Sequence, residues 1–216
     1  VLPQGFKDSP HLFGQALAQD LSQLSYLDTL VLQYVDDLLL AACSETLCHQ
    51  ATQVLLNFLA TCGYKVSKPK AQLCSQQVKY LGLKLSKGTR ALSEECIQPI
   101  LAYPHPKTLK QLRGFLGITG FCRIWIPRYG EIARPLYTLI KETQKANTHL
   151  VRWTPEAEVA FQALKRALTQ APVLSLPTGQ DFSLYVTEKT GIALGVLTQV
   201  RGISLHPMAY LQKANQ

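Results

Sequence analysis

No apolar run in this chain approaches the ~20 residues that a membrane helix requires, and no charged leader precedes an apolar stretch and a cleavage site. The sequence therefore offers nothing for membrane insertion or export. None of the six cysteines (Cys43, Cys48, Cys62, Cys74, Cys96, Cys122) belongs to a Cys-x-x-Cys pair, and their spacing is irregular. Structural zinc and a disulfide framework are thus disfavoured, and most of the cysteines fall on apolar faces as reduced core residues would. Methionine is absent before Met208 and the chain opens on Val1, as expected of a processed product or a segment of a longer reading frame. Basic residues are nearly missing from the first 64 positions, where Lys7 alone stands against six acidic side chains.

What is present suits a folded protein. The 216 residues are 47% apolar and 17% charged, enough for one large or two small domains with a real core. The net charge of +8 is concentrated in residues 65–152, which hold 16 basic residues against four acidic, whereas residues 153–216 hold five against four. A stripe of that density attracts polyanions, and neutralising phosphates releases counterions, so binding should weaken steeply with salt. A solvated basic face without a partner is the alternative.

The chain reads in order as helix, hairpin, helix. Ser9 as N-cap and Pro10 at the first helical position open a helix carrying Leu12, Phe13, Ala16, Leu17, Leu21 and Leu24. Ser44 caps a second helix whose apolar face runs Leu47, Ala51, Val54, Leu55, Phe58, Leu59 and Cys62 and which Gly63 closes. Residues 64–73 form a basic loop, and Val78 to Leu85 alternates as a strand that turns at Lys87-Gly88. A second unit is expected near Pro99, with Pro104 and Pro106 as a stiff linker. Thr108-x-x-Gln111 is a capping-box signature for a helix burying Leu109, Leu112, Leu116 and Thr119. A further helix follows over about Glu131 to Ile140, then a polar linker from Lys141 to Leu150. Thr154-Pro155 starts a helix with Phe161, Leu164 and Leu168, and three apolar runs, Phe182 to Val186, Leu194 to Leu197 and Met208 to Leu211, complete a partial α/β unit. The expected class is α+β.

Between the first two helices, Tyr34-Val35-Asp36-Asp37 sets two adjacent carboxylates between the apolar runs Leu30-Val31-Leu32 and Leu38-Leu39-Leu40-Ala41-Ala42. This is the pattern of a buried β-hairpin with an acidic tip, the place to build a metal-dependent site. Taken alone, such a pair reads more readily as a solvated turn, since Asp accepts backbone hydrogen bonds and tolerates turn geometry.

The order of the motifs favours chemistry. Leu2-Pro3-Gln4-Gly5-Phe6-Lys7-Asp8-Ser9-Pro10, then Tyr34-Val35-Asp36-Asp37, then Tyr80-Leu81-Gly82-Leu83, resemble three successive polymerase motifs of retroviral reverse transcriptases. Val at the second position of the acidic motif, Val78-Lys79-Tyr80-Leu81-Gly82 and Phe121-Cys122-Arg123-Ile124-Trp125-Ile126-Pro127 resemble the gammaretroviral branch and related endogenous retroviruses. The resemblance covers essentially the whole chain. It implies the C-terminal part of the palm for residues 1–95, a mostly helical thumb for 96–150 and a truncated, ribonuclease H-like α/β connection for 151–216.

The resemblance implies RNA-directed DNA polymerase activity in the full enzyme, with two Mg²⁺ ions (Mn²⁺ as a substitute), deoxynucleoside triphosphates, and RNA/DNA or DNA/DNA template-primer as partners. The rest of the Pol polyprotein would be a further partner, in a cytoplasmic or virion-associated setting. Two divalent ions clamp the attacking and leaving oxygens in such chemistry, and carboxylates suit hard Mg²⁺. Asp36 is the principal candidate ligand and Asp37 the second, because neighbouring side chains on extended backbone diverge. Gln4, Gly5 and Phe6 would line the nucleotide pocket, although without the resemblance a plain turn glycine before a helix is the better reading of Gly5. Lys70 would face the departing pyrophosphate, or share general phosphate attraction with Lys65 and Lys68. Tyr80, Leu81 and Gly82 would grip the primer end, where an ordinary hairpin gives the same alternation. Arg113, Gly117 and Phe121, four residues apart, share one helical face that would follow the minor groove of the template-primer; helix packing through a glycine notch is the alternative.

Two departures limit the expected activity. The family's third metal-binding aspartate and its fingers lie before the matched region, so the segment alone is expected to be inactive. Thr187 stands where related sequences carry an acid, so no ribonuclease H site is expected. A non-catalytic nucleic-acid-binding remnant of an endogenous retrovirus is the second reading.

Overall fold

The computed structural model describes residues 5–24, 28–189 and 191–214. The chain divides into two compact units, Val1–Tyr80 and Leu81–Gln216.

In the first unit, helix α1 (Ser9–Leu21) begins one residue earlier than the sequence suggests: Asp8 is its N-cap and Ser9 lies inside. Strands β1 (Leu30–Tyr34) and β2 (Asp37–Ala41) form the expected antiparallel hairpin, with Tyr34 opposite Asp37 and Gln33 opposite Leu38. Helix α2 (Glu45–Thr61) starts where the Ser44 side chain accepts the Leu47 amide and ends before Gly63, whose φ of +85° suits glycine alone. Leu17, Leu21, Leu55 and Leu59 form the core, against which Phe13, Leu38, Leu40 and Tyr64 pack. The hairpin is half-buried, not buried as its composition suggests. Leu38 and Leu40 meet the helices, while Leu30 and Leu32 are 56% and 44% exposed because their strand face is uncovered among the described residues. Of the expected α2 face, Ala51, Leu55 and Leu59 are buried, but Val54 and Cys62 are exposed. The unit ends with strand β3 (Gln77–Tyr80). Gln72 holds it from the side, accepting the Lys79 amide and donating to the Lys79 carbonyl, both at 2.8 Å.

The second unit opens with a turn. Leu81 and Gly82 have φ of +51° and +75°, so the single strand expected over Val78–Leu85 is broken there and β4 (Leu83–Ser86) is a separate element. β4, β5 (Thr89–Leu92) and the short β6 (Leu174–Ser175) run antiparallel in that order. Helix α3 (Glu94–Leu101) contains Pro99 in its interior, so that proline marks no boundary. Helix α4 (Leu109–Phe121) has the full capping box, with Thr108 accepting the Gln111 amide and the Gln111 side chain accepting the Thr108 amide. Its buried stripe is Leu112, Phe115, Leu116 and Thr119; Phe115 was not among the expected residues, and Leu109, which was, is half-buried.

Helix α5 (Tyr129–Lys145) runs five residues into the segment read as a linker, since Lys141-Glu142-Thr143-Gln144-Lys145 are tolerant of helix and Thr143 is buried against it. Helix α6 (Pro155–Thr169) begins as expected at Thr154-Pro155. Phe115 and Phe161 meet at 4.5 Å between ring centroids in the middle of one core that α3, α4, α5 and α6 share. The connecting chain is fastened to α6: Lys165 donates to the carbonyls of Leu101 (2.9 Å) and Tyr103 (2.7 Å), and His105 contacts Glu158 at 2.6 Å. Strands β7 (Ser183–Lys189), β8 (Ile192–Arg201) and β9 (Ser204–Ala214) form an antiparallel sheet in chain order, longer than the three apolar runs that announced them.

All six cysteines are free, as expected, but only Cys122 is a core residue; Cys43 and Cys62 are exposed, and Cys48, Cys74 and Cys96 are half-buried. No helix among the described residues is long and apolar enough to cross a membrane.

Candidate functional site

The acidic tip is built by a two-residue loop, Val35-Asp36, between the paired Tyr34 and Asp37. Val35 has φ of +55° and Asp36 does not share the positive value, the pattern of a type II′ hairpin turn. That position favours glycine, and a β-branched residue held there is strained. The turn presents Tyr34, Val35, Asp36 and Asp37 to solvent. Both carboxylates are therefore accessible to an external cation, and as hard oxygen donors they suit Mg²⁺ or Mn²⁺. They make an incomplete cage: among the described residues no three His, Cys, Asp or Glu side chains gather as a metal site.

Sequence reasoning passed over Gln33, the polar member of the apolar strand Leu30-Val31-Leu32-Gln33-Tyr34. Its Nε2 donates to the carbonyls of both Val35 and Gly14, each at 2.9 Å. A polar residue interrupting an apolar strand one position before the acidic motif is the signal that could have found it.

The other candidates of the first unit fall on its surface. Gln4 lies outside the described residues. Gly5 has φ of +88° with open space where a Cβ would stand, and Phe6 is 49% exposed just before α1. The positive φ explains the glycine at position 5 without a ligand. Lys70 is exposed in a short 3-10 turn, Lys68–Lys70, beside exposed Lys65 and Lys68. Tyr80 is half-buried at the end of β3: burial, and then the Asp37 carboxylate, push its hydroxyl above the ordinary tyrosine value. Both causes disfavour the phenolate.

In the second unit, Leu81 and Gly82 form the positive-φ turn already described, and the Ser93 amide donates to the Gly82 carbonyl at 3.0 Å. Arg113, Gly117 and Phe121 lie together on the exposed side of α4. Nothing stands within 4 Å of a Cβ built on Gly117, and Phe121 is 63% exposed. Among the described residues of this unit, no other helix packs on Gly117. An aromatic ring, a bare backbone and a guanidinium on one face of a basic helix form a surface able to meet phosphate, sugar and base. A cavity of about 280 Å³, lined by Pro127, Arg128, Tyr185, Leu194, Val196 and Tyr210, contains none of the candidate residues. Thr187 is exposed on β7 opposite Leu194.

Residues 1–85 match the family model of the reverse transcriptase, an RNA-dependent DNA polymerase. Over 98% of its length the chain is 51% identical to the Gag-Pol polyprotein of avian reticuloendotheliosis virus, of which it covers 18%. It is 47% identical over the same share to the Gag-Pol polyprotein of baboon endogenous virus, covering 12%, and 46% identical to the Pol polyprotein of feline endogenous virus ECE1, covering 20%. The chain thus spans a fifth or less of these relatives. Among solved structures, the foamy viral protease-reverse transcriptase in complex with double-stranded DNA matches 99–100% of the chain and 36–44% of its own, with a TM-score of 0.86 and 26% identity. The same protein in complex with an RNA/DNA hybrid matches with a TM-score of 0.82. The chain, an α+β segment like the matched part of those structures, belongs to the reverse transcriptase family of retroviral Pol polyproteins.

Proposed function

We propose that this segment supplies the acidic turn and the template-primer surface of an RNA-directed DNA polymerase. Residues 1–95 serve as the late palm, 96–150 as the thumb and 151–216 as a ribonuclease H-like connection. The observation that carries this reading is the solvent-facing Val35-Asp36-Asp37 turn inside the region that matches the reverse transcriptase model.

Asp36 is the principal cation ligand and Asp37 the second. The divalent ions, when bound, stabilise negative charge on the transferring phosphoryl group. The chain's own residues position the partners. Gln4, Gly5 and Phe6 border the incoming deoxynucleoside triphosphate, and Lys70 offers a point charge to its phosphates. Tyr80, Leu81 and Gly82 hold the primer end. Arg113, Gly117 and Phe121 follow the RNA/DNA or DNA/DNA duplex, consistent with the nucleic acids bound by the foamy viral enzymes. Two carboxylates hold a divalent ion weakly, so the segment alone binds template-primer without extending it.

The test is Asp36→Asn in an enzyme completed with the neighbouring Pol segments. Loss of Mg²⁺-dependent extension with duplex binding retained supports the assignment. Retained extension removes Asp36 from the site.

A further inference from the structure

We propose that Gln33 is the positioning residue of the acidic turn: its side-chain amide ties the Val35 carbonyl to the backbone of α1 and thereby fixes where Asp36 and Asp37 stand. The functional side of this inference rests on the reading of the two aspartates as cation ligands. The conformational side stands on the structure of the turn alone.

A valine at φ of +55° occupies a region that β-branched residues avoid, and such a conformation persists only where its surroundings over-determine it. Two devices do so here. The hairpin register pairs Tyr34 with Asp37 and closes the loop at two residues. The Gln33 Nε2 group then spends its two hydrogens on two carbonyls, Val35 within the turn and Gly14 on α1, both at 2.9 Å. The second bond is the informative one, because it spans 19 residues and couples the tip of the hairpin to a helix. That helix begins at Ser9, three residues after Phe6. The fork therefore sets the carboxylates and the helix that follows the nucleotide-side loop in one frame.

A primary amide meets this demand with two donors and no net charge. A carboxylate of the same shape has no donor and would set negative charge against two carbonyl oxygens, and a methionine of similar length has no donor at all. Gly14 has a different role. A Cβ added there would meet the Val35 Cα at 3.8 Å and Gln33 Nε2 at 3.9 Å, ordinary contacts, so the helix need not carry glycine for the fork to form. Gly14→Ala is thus a control that leaves the fork in place.

The experiment uses the full 216-residue chain and NMR. The amide–Hα coupling at Val35 reports its φ, hydrogen exchange at Asp36 and Asp37 reports opening of the turn, and Mn²⁺ broadening of the same amides reports cation binding. Gln33→Met is expected to shift Val35 out of the left-handed region and to speed exchange at Asp36 and Asp37 by roughly tenfold or more, while α2 amides and the Gly14→Ala control are unchanged. Val35→Gly removes the strain, since glycine accepts positive φ freely, so Gln33→Met in that background should open the turn far less. Equal damage from Gln33→Met in both backgrounds, unfolding included, overturns the proposal, as does an unaltered Val35 in the single variant. Mn²⁺ broadening in the parent chain that weakens in Gln33→Met supports the functional side. No broadening in the parent chain overturns the cation reading, and the coupling at Val35 then decides the role of Gln33 by itself.

Discussion

Phe115 and Phe121 are the same residue type on the same helix, and the structure assigns them opposite consequences when each is replaced by alanine. Phe115 is fully buried, packed at 4.5 Å from the Phe161 ring and 5.6 Å from Tyr103. Removing a fully buried phenylalanine costs about 3–5 kcal/mol, and a domain of this size is stable by only about 5–15 kcal/mol. Phe115→Ala should therefore lower the urea midpoint of the second unit severely. Phe121 is 63% exposed, and its truncation should change stability by no more than about 0.5 kcal/mol. If its ring meets nucleic acid, the loss appears in binding instead: aromatic contacts with a base are worth about 1–3 kcal/mol, a five- to 150-fold weakening. Both tryptophans, Trp125 and Trp153, lie in the second unit and report its unfolding by fluorescence. Anisotropy of a labelled RNA/DNA hybrid reports affinity. Phe121→Ala that unfolds like Phe115→Ala contradicts the assignment of faces, and Phe121→Ala that folds and binds as the parent does contradicts the nucleic-acid surface.

Arg113→Ala should flatten the dependence of log affinity on log salt by about one unit if the guanidinium neutralises one phosphate, and an unchanged slope places it off the backbone. The Tyr64 hydroxyl donates to Asp20 at 2.6 Å, and that hydrogen bond, with burial, pushes it up to about 12. A group raised in the folded state contributes stability that is whole below the ordinary tyrosine value near 10 and disappears as pH rises toward 12. Tyr64→Phe should cost about 1 kcal/mol at neutral pH and abolish that alkaline decline in thermal unfolding. Glu158 moves the other way: hydrogen bonds from His105 and then Gln162 hold its carboxyl below the usual range. Its contribution is present above the ordinary carboxylate value and fades as pH falls, and His105→Ala should reduce the acid sensitivity of the second unit's melting.

The helices were legible because their starts carry side-chain chemistry. Ser44, Thr108 and Thr154 each accept an amide in the first turn, and Thr108-x-x-Gln111 forms both halves of its capping box. The acidic hairpin was legible from its two apolar runs, whereas the pairing of Tyr34 with Asp37 that closes its loop at two residues was not. Less legible was whatever tertiary contact decides. Leu109 and Phe115 both fit a helical stripe, and only the meeting with Phe161 selects Phe115 for the centre of the core. Val78 to Leu85 alternates without interruption, yet the chain turns at Leu81-Gly82, where the glycine was visible and the left-handed leucine was not. Buried strands were expected at the hairpin because composition does not reveal which face lacks a covering layer. At the site, the carboxylates were announced by their spacing, whereas the strained Val35 and its support by Gln33 depend on a hydrogen bond to a helix 19 residues away.

The central claim is that this segment holds template-primer through its basic second unit but lacks the ligands to extend it. The most direct measurement is binding of a fluorescent RNA/DNA hybrid across a salt series, with and without Mg²⁺, alongside primer extension by the same preparation. The account predicts tight binding at low salt, steep weakening as salt rises, and no extension. Extension by the 216-residue chain, or no binding at low salt, would contradict it.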